Sequence, residues 1–189
     1  MPAFAELPIP TERLVLRPYR ESDAQAVFGL FSDPKVMRYM STPPWTAVQR
    51  ARDVIARDIA AIDKGETLSL AIERTGDARL IGQCVLYQFS ETCRRAEIGY
   101  SLVSSAWGNG YMHEALCALI DYGFGRLDLN RIEADIDPRN EASARSLDRL
   151  GFVREGLLRE RWIVGGEVSD SLLYGLLRSD WRKRSPERA

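Results

Sequence analysis

Trp107-Gly108-Asn109-Gly110-Tyr111-Met112-His113-Glu114 follows a strand-like run and opens a helix-like one, and the rest of the chain is read outward from it. Two glycines let the backbone turn tightly, so several N–H groups can point into one small volume at a helix N-terminus. Such a loop favours a phosphate or diphosphate, because unpaired donors and the positive end of the helix dipole both attract anions. A Walker loop would need Gly-Lys-Ser/Thr, which the chain lacks. A dinucleotide fingerprint would need a third glycine where His113 stands. On its own, the stretch reads equally well as a structural turn.

A second constellation, Asp137-Pro138-Arg139-Asn140-Glu141-Ala142-Ser143, closes with Leu150-Gly151-Phe152. Asn140 is placed to cap a helix and Gly151 to end it. Upstream, residues 13–18 alternate as a first strand. Ser22 with Gln25, and Thr46 with Gln49, have the spacing of capping boxes. Asp33-Pro34 starts a short helical turn. Val48, Ala51, Ile55, Ile59 and Ile62 form the stripe of a helix that stops at Gly65. The Pro43-Pro44-Trp45 segment before that helix reads either as a mobile cleft wall or as a turn anchored by a core Trp. Residues 67–73, 80–89 and 95–103 read as strands, with a Gly76-Asp77 turn between the first two. The pattern continues with helix 110–124, strand 131–136, helix 141–150 and strand 152–164. The Gly165-Gly166 pair then turns a hairpin into strand 168–177. Hairpins require antiparallel pairs and strand–helix–strand units favour parallel ones, so the fold class is α/β with a mixed sheet.

With 189 residues, 45% hydrophobic and 28% charged, the chain has the dimensions of one soluble domain. Residues 1–10 read as an N-terminal tail, 11–181 as the domain, and 182–189 as a basic C-terminal tail. The 26 Lys and Arg residues against 27 Asp and Glu give a net charge of −1, which argues against a nucleic-acid partner bound through a broad basic surface. The cluster Arg178, Arg182, Lys183, Arg184 and Arg188 reads as a solvated tail. No apolar run approaches the roughly 18 residues of a transmembrane helix. The N-terminus lacks the basic start of a signal peptide. Three separated cysteines (Cys84, Cys93, Cys117) and one histidine support neither a disulfide framework nor a metal site. A cytoplasmic setting without a membrane partner is the expectation.

Taken together, Glu97-Ile98-Gly99-Tyr100, Gly108-Asn109-Gly110 and Asn140…Leu150-Gly151-Phe152 resemble the GNAT superfamily of acetyl-CoA-dependent N-acetyltransferases. The nearer likeness is to its RimJ/RimL-like branch of ribosomal-protein N-terminal acetyltransferases. Thr11-Glu12-Arg13-Leu14-Val15-Leu16-Arg17-Pro18, Ser32-Asp33-Pro34-Lys35-Val36-Met37 and Leu173-Tyr174-Gly175-Leu176-Leu177…Trp181 carry that likeness across nearly the whole chain. The resemblance implies a mostly antiparallel central sheet with two splayed parallel strands and flanking helices. It implies that amides of Gly108, Asn109, Gly110, Tyr111, Met112 and His113 hold the coenzyme A diphosphate. Backbone groups at Leu102 and Val103 would bond the pantetheine arm, and Asn140 and Ser143 would meet it near the thioester. Two positions depart from the family pattern. Met112 stands where Gly or Ala is usual, and Leu147 where a thiolate-protonating tyrosine is common. Ser143 is the substitute donor. Trp107 replaces the more general Gln or Arg.

Acetyl transfer needs a neutral amine. At pH 7 an α-amine of pKa ~7.7–8.0 is about 10–20% neutral, whereas a lysine at ~10.4 is under about 0.1% neutral. A modest base or a water relay therefore suffices for an α-amine; the acceptor that the resemblance implies is a protein N-terminal α-amine or a small amine. Glu97 is the first candidate base and the exposed Glu160 the second. Ser143 would stabilise the departing thiolate. No Cys–His pairing involving His113 is evident from the sequence, so a direct attack in a ternary complex is expected. Tyr100, Tyr111 and Tyr174 read as core or cleft-wall aromatics. Two other readings stand beside the enzyme: a coenzyme A-binding sensor without turnover, and an unrelated α/β interaction domain. Acceptor choice rests with loops at 42–45, 87–92 and 162–167. Monomer and homodimer are both open.

Overall fold

Strands dominate the order of elements, and one break in their pairing decides the architecture. The structure, a computed structural model, describes residues 4–184; residues 185–189 of the expected basic tail lie outside the described residues. The strands are β1 (Ile9–Pro10), β2 (Leu14–Arg17), β3 (Leu68–Arg74), β4 (Arg79–Ser90), β5 (Arg95–Leu102), β6 (Arg131–Ile136), β7 (Val153–Val164) and β8 (Glu167–Leu177). They form one sheet in the order β1-β2-β3-β4-β5-β6-β8-β7. Every pairing is antiparallel except β5 with β6. A parallel neighbour needs a crossover, and α4 (Tyr111–Gly125) supplies it.

Helices cover both faces of this sheet. On one side Leu116, Leu119 and Ile120 of α4, with Leu147 and Leu150 of α5 (Glu141–Leu150), pack on Leu14, Leu16, Leu70, Leu86 and Ile132. On the other side α1 (Ala24–Ser32), α2 (Pro34–Met37) and α3 (Val48–Asp63) bring Val27, Leu30, Phe31, Met37, Ala51 and Ile55 against Ala71 and Leu80. Residues 68–72 of β3 are buried on both faces, which explains their unbroken apolar character apart from Ser69. The second helical layer stops short of β6 and β8, leaving part of that face open.

Several local expectations require correction. Ser22 does not cap α1. The N-cap of α1 is Asp23, which makes no side-chain cap bond; its carboxylate instead accepts the Arg20 amide at the start of the preceding 3₁₀ turn (2.7 Å) and a two-pronged ion pair from Arg17 (2.7 and 2.9 Å). A buried guanidinium makes the acid, not the hydroxyl, the stronger acceptor. Thr46 does not cap α3 either, whose N-cap is Ala47 with no side-chain bond. Trp45 anchors that entry instead, stacked on Phe31 at 4.6 Å, with Arg50 over its ring and its amide on the Phe31 carbonyl (2.9 Å). In the β3–β4 turn the positive φ falls on Ala78, and Arg74 closes the turn onto Asp77 (2.9 Å). At the N-terminus Ile9–Pro10 pairs with β2, and Tyr122 donates to the Ala5 carbonyl (2.7 Å), so residues read as tail are attached to the sheet and to α4. α6 (Arg178–Arg184) continues helically from β8, and Trp181 is buried.

Candidate active site

The loop between β5 and α4 holds Gly108 at φ 76° and Gly110 at φ 77°, conformations that side chains with a Cβ rarely adopt. Among the described residues, no protein group accepts from the amides of Gly108, Asn109, Gly110, Tyr111 and Met112. Five amides without a protein acceptor therefore lie at the N-terminus of a 15-residue helix. The loop is braced by its own side chains: Asn109 Nδ2 donates to the carbonyls of Ala106 (3.2 Å) and Trp107 (2.9 Å). Trp107 Nε1 donates to the Leu102 carbonyl (2.9 Å), fixing the loop against the end of β5. Met112 packs against the main core, so the bulk at this position is drawn inward.

From that loop a gap runs down between β5 and β6. The two strands pair only at Arg95↔Arg131, Ala96↔Ile132 and Glu97↔Glu133, while β5 remains paired to β4 as far as Leu102. Beyond Glu97 the parallel strands separate. The Val103 amide donates to Ile81 (2.9 Å), and its carbonyl accepts from Ala106 (2.9 Å). Both backbone groups of Val103 are thus engaged inside the protein, against the expectation that they would serve a ligand, and the Leu102 carbonyl is likewise taken by Trp107 Nε1. Alternation along β5 turns the backbone of Tyr100 and Leu102 toward the gap instead.

Across the gap stands the first turn of α5. Asn140 Oδ1 accepts the Ser143 amide (3.2 Å), the expected cap, and leaves the carboxamide NH₂ for other partners. Tyr100 reaches over from β5, its hydroxyl donating to the Ser143 carbonyl (3.5 Å). Burial pushes the Tyr100 phenol up to about 12, partly offset by a hydrogen bond with Ser143. Tyr100 is therefore the cleft-wall residue that bridges the gap, a role its sequence position gave no means of separating from that of other aromatics. Leu147 is fully buried in the core and can take no part in proton transfer.

Glu97 lies on the opposite face of β5 from the buried Ala96 and Ile98. It stands beside Tyr87 on β4 and Glu133 on β6. Burial raises its pKa; a hydrogen bond from Tyr87 works against this, and the nearby Asp135 and Glu133 charges add to it. Glu133 is engaged by Arg95 (2.7 Å) and Arg131 (2.8 Å), and Asp135 by Ser171 and Trp162. Glu160 is not brought here. It sits in a bulge of the edge strand β7, where its amide bonds Asp170 (2.8 Å), and β8 separates that strand from β6. His113 is exposed on the first turn of α4, and its ring lies 3.7 Å from Cys117 Sγ, a Cys–His contact not expected from the sequence, which arises because the two residues are one helical turn apart.

On the same face, beyond Asp137, a pocket of about 260 Å³ opens between residues 34–44 and the β7–β8 turn. Met37, Tyr39, Met40, Pro43 and Pro44 give it an apolar wall. Its acids are matched: Arg139 pairs with Asp137 (2.6 Å) and with Glu167, and Arg38 also reaches Glu167 (3.2 Å). Two of the three acceptor loops anticipated from the sequence meet at this pocket.

A family model described as an acetyltransferase (GNAT) domain matches residues 13–153, including β2, the glycine loop, the β5–β6 gap and α5. The chain belongs to the GNAT acetyltransferase family. It is accordingly an acyltransferase, of a family whose acyl donor is acetyl-CoA. The uncharacterized N-acetyltransferase p20 of Bacillus licheniformis is 39% identical over 173 residues, spanning 90% of this chain and 96% of that protein. Spermidine N(1)-acetyltransferase of Escherichia coli strain K12 is 27% identical over 157 residues, 83% of this chain and 82% of the relative. Mycobacterium smegmatis RimJ, solved in complex with CoA-disulfide, matches with a TM-score of 0.81 at 27% identity, covering 92% of this chain and 88% of that one. The matched range spans the glycine loop and the β5–β6 gap, and Leu147 within it is a core residue.

Proposed function

We propose that this GNAT enzyme transfers the acetyl group of acetyl-CoA to the α-amine of an N-terminal residue. The observation that carries the reading is the free-amide loop leading into an unpaired strand gap. The loop suits a diphosphate, and the gap suits an extended amide-bearing arm that adds to β5 as a strand would. Gly108, Asn109, Gly110, Tyr111, Met112 and His113 hold the diphosphate. Tyr100 and Leu102 bond the arm, and Asn140 offers its carboxamide.

The acceptor nitrogen attacks the thioester carbonyl while Glu97 takes its proton, directly or through one water. The carbon–sulfur bond then breaks, and the thiolate leaves as a hydrogen-bond acceptor for the Ser143 hydroxyl. A carboxylate of raised pKa suits an amine that is already partly neutral. The pocket favours an N-terminus with an apolar first side chain over a polycation, because its carboxylates are already neutralised by Arg38 and Arg139.

Thiol release from acetyl-CoA, measured with peptides carrying a free α-amine, with Nα-blocked lysine peptides and with spermidine, tests the assignment. Turnover on the first group is expected to exceed the others. Preference for spermidine would overturn the acceptor class, and stoichiometric coenzyme binding without thiol release on any acceptor would favour the sensor reading.

A further inference from the structure

Arg13, just before β2, reaches across to the glycine loop although 96 residues separate it from Asn109. Its Nη1 donates to the Asn109 carbonyl (3.0 Å) and its Nε to Glu114 Oε2 (2.7 Å). Its own amide and the Thr11 hydroxyl donate to Glu114 Oε1 (2.7 and 2.6 Å). The guanidinium stacks 4.7 Å from the centre of the Tyr111 ring. Its Nη2 lies 3.5 Å from where a Cβ on Gly110 would sit, at the lip of the free-amide loop.

Glu114 poses an electrostatic problem that this arrangement answers. A carboxylate in the first turn of α4 competes with a bound anion for the positive end of the helix. Here its oxygens are drawn toward β2 and its charge is matched by the guanidinium. Pinning the Asn109 carbonyl also fixes the peptide plane from which the Gly110 amide projects.

We propose that Arg13 is a positioning residue for the donor substrate, setting the affinity of the loop for the diphosphate by holding Asn109 and cancelling the charge of Glu114. This rests on the acetyl-CoA reading above.

The test compares Arg13→Ala, Arg13→Lys and the double variant Arg13→Ala/Glu114→Gln. Each is assayed with acetyl-CoA and with S-acetylpantetheine, which has the thioester arm but no diphosphate. Arg13→Ala is expected to raise KM for acetyl-CoA about tenfold, the scale of one charge-assisted contact. The loss should be confined to that donor, since S-acetylpantetheine leaves the loop empty. Lysine should recover part of the loss, and Glu114→Gln in the alanine background should bring KM back to within about threefold of the parent by removing the uncancelled charge. An equal loss with both donors would show a general structural role and overturn the proposal, as would a double variant no better than Arg13→Ala. Failure of the parent protein to bind coenzyme A at all is a separate result, which would remove the acetyltransferase reading itself and the proposal with it.

Discussion

Glu97 illustrates how the setting of one side chain suits it to a proposed role. Burial disfavours its ionised form, and two neighbouring carboxylates add to the effect, so its pKa rises despite the Tyr87 hydrogen bond. A raised carboxylate pKa contributes stability that is complete below the unfolded value and is lost as pH climbs through the folded one. Glu97→Gln therefore leaves thermal stability at neutral pH equal or higher, while kcat falls a hundred- to ten-thousandfold, the usual scale for a lost general base. The pH profile supplies a second check. Below the Glu97 pKa the parent's rate should rise with slope two, from Glu97 and the amine together, and the variant's with slope one. A variant that loses stability and activity in parallel would point to a structural carboxylate. The candidacy of Glu97 as base came from the family resemblance, and its place on β5 was legible in the sequence. Which backbone groups of β5 are free was not: Tyr100 and Val103 differ only in the phase of hydrogen bonding to β4, and no residue type encodes that phase.

Among the elements, the junction of β2 with α1 is where charge replaces the expected cap. Arg17 is buried and holds Asp23 twice and Glu73 once, the last at 2.6 Å. Burial alone would raise the Asp23 pKa, but the Arg17 and Arg20 hydrogen bonds prevail and hold it below the ordinary aspartate value. Arg17→Ala strands two acids against the sheet and is expected to cost about 3–5 kcal/mol in urea unfolding. A loss below about 1 kcal/mol, the worth of an exposed pair, would refute this account of the junction. The depressed Asp23 contributes stability above its unfolded pKa, lost as pH falls through the lower folded value. The elements themselves were legible because their periods are clear: the stripe of α3, the buried run of β3, the Gly165-Gly166 hairpin. The caps were not, since Ser22 and Thr46 satisfy a local spacing rule that Arg17 and Trp45 override through contacts outside their own helices.

At the scale of the molecule, the sheet is divided by function. Strands β1–β5 form a continuous antiparallel platform enclosed by helices on both faces, and β6, β8 and β7 form a second block joined to it by three residue pairs. The single parallel neighbour follows from the α4 crossover, and the same crossover places the helix terminus with its free amides at the open end of the gap. The mixed sheet could be read from the order of strands and helices, whereas the gap was implied only by the family resemblance. The clasp of Arg13 on Glu114 could not be read, because nothing local in either segment marks a contact across 101 residues.

Amide hydrogen exchange on the parent protein, with and without saturating coenzyme A, addresses the central claim most directly. The amides of Gly108, Asn109, Gly110, Tyr111 and Met112, which meet no protein acceptor, should exchange fast in the free protein and slow markedly on binding, together with those of Tyr100 and Leu102. Slow exchange at these positions before coenzyme A is added, or protection that appears elsewhere and spares both the loop and the gap, would contradict the account.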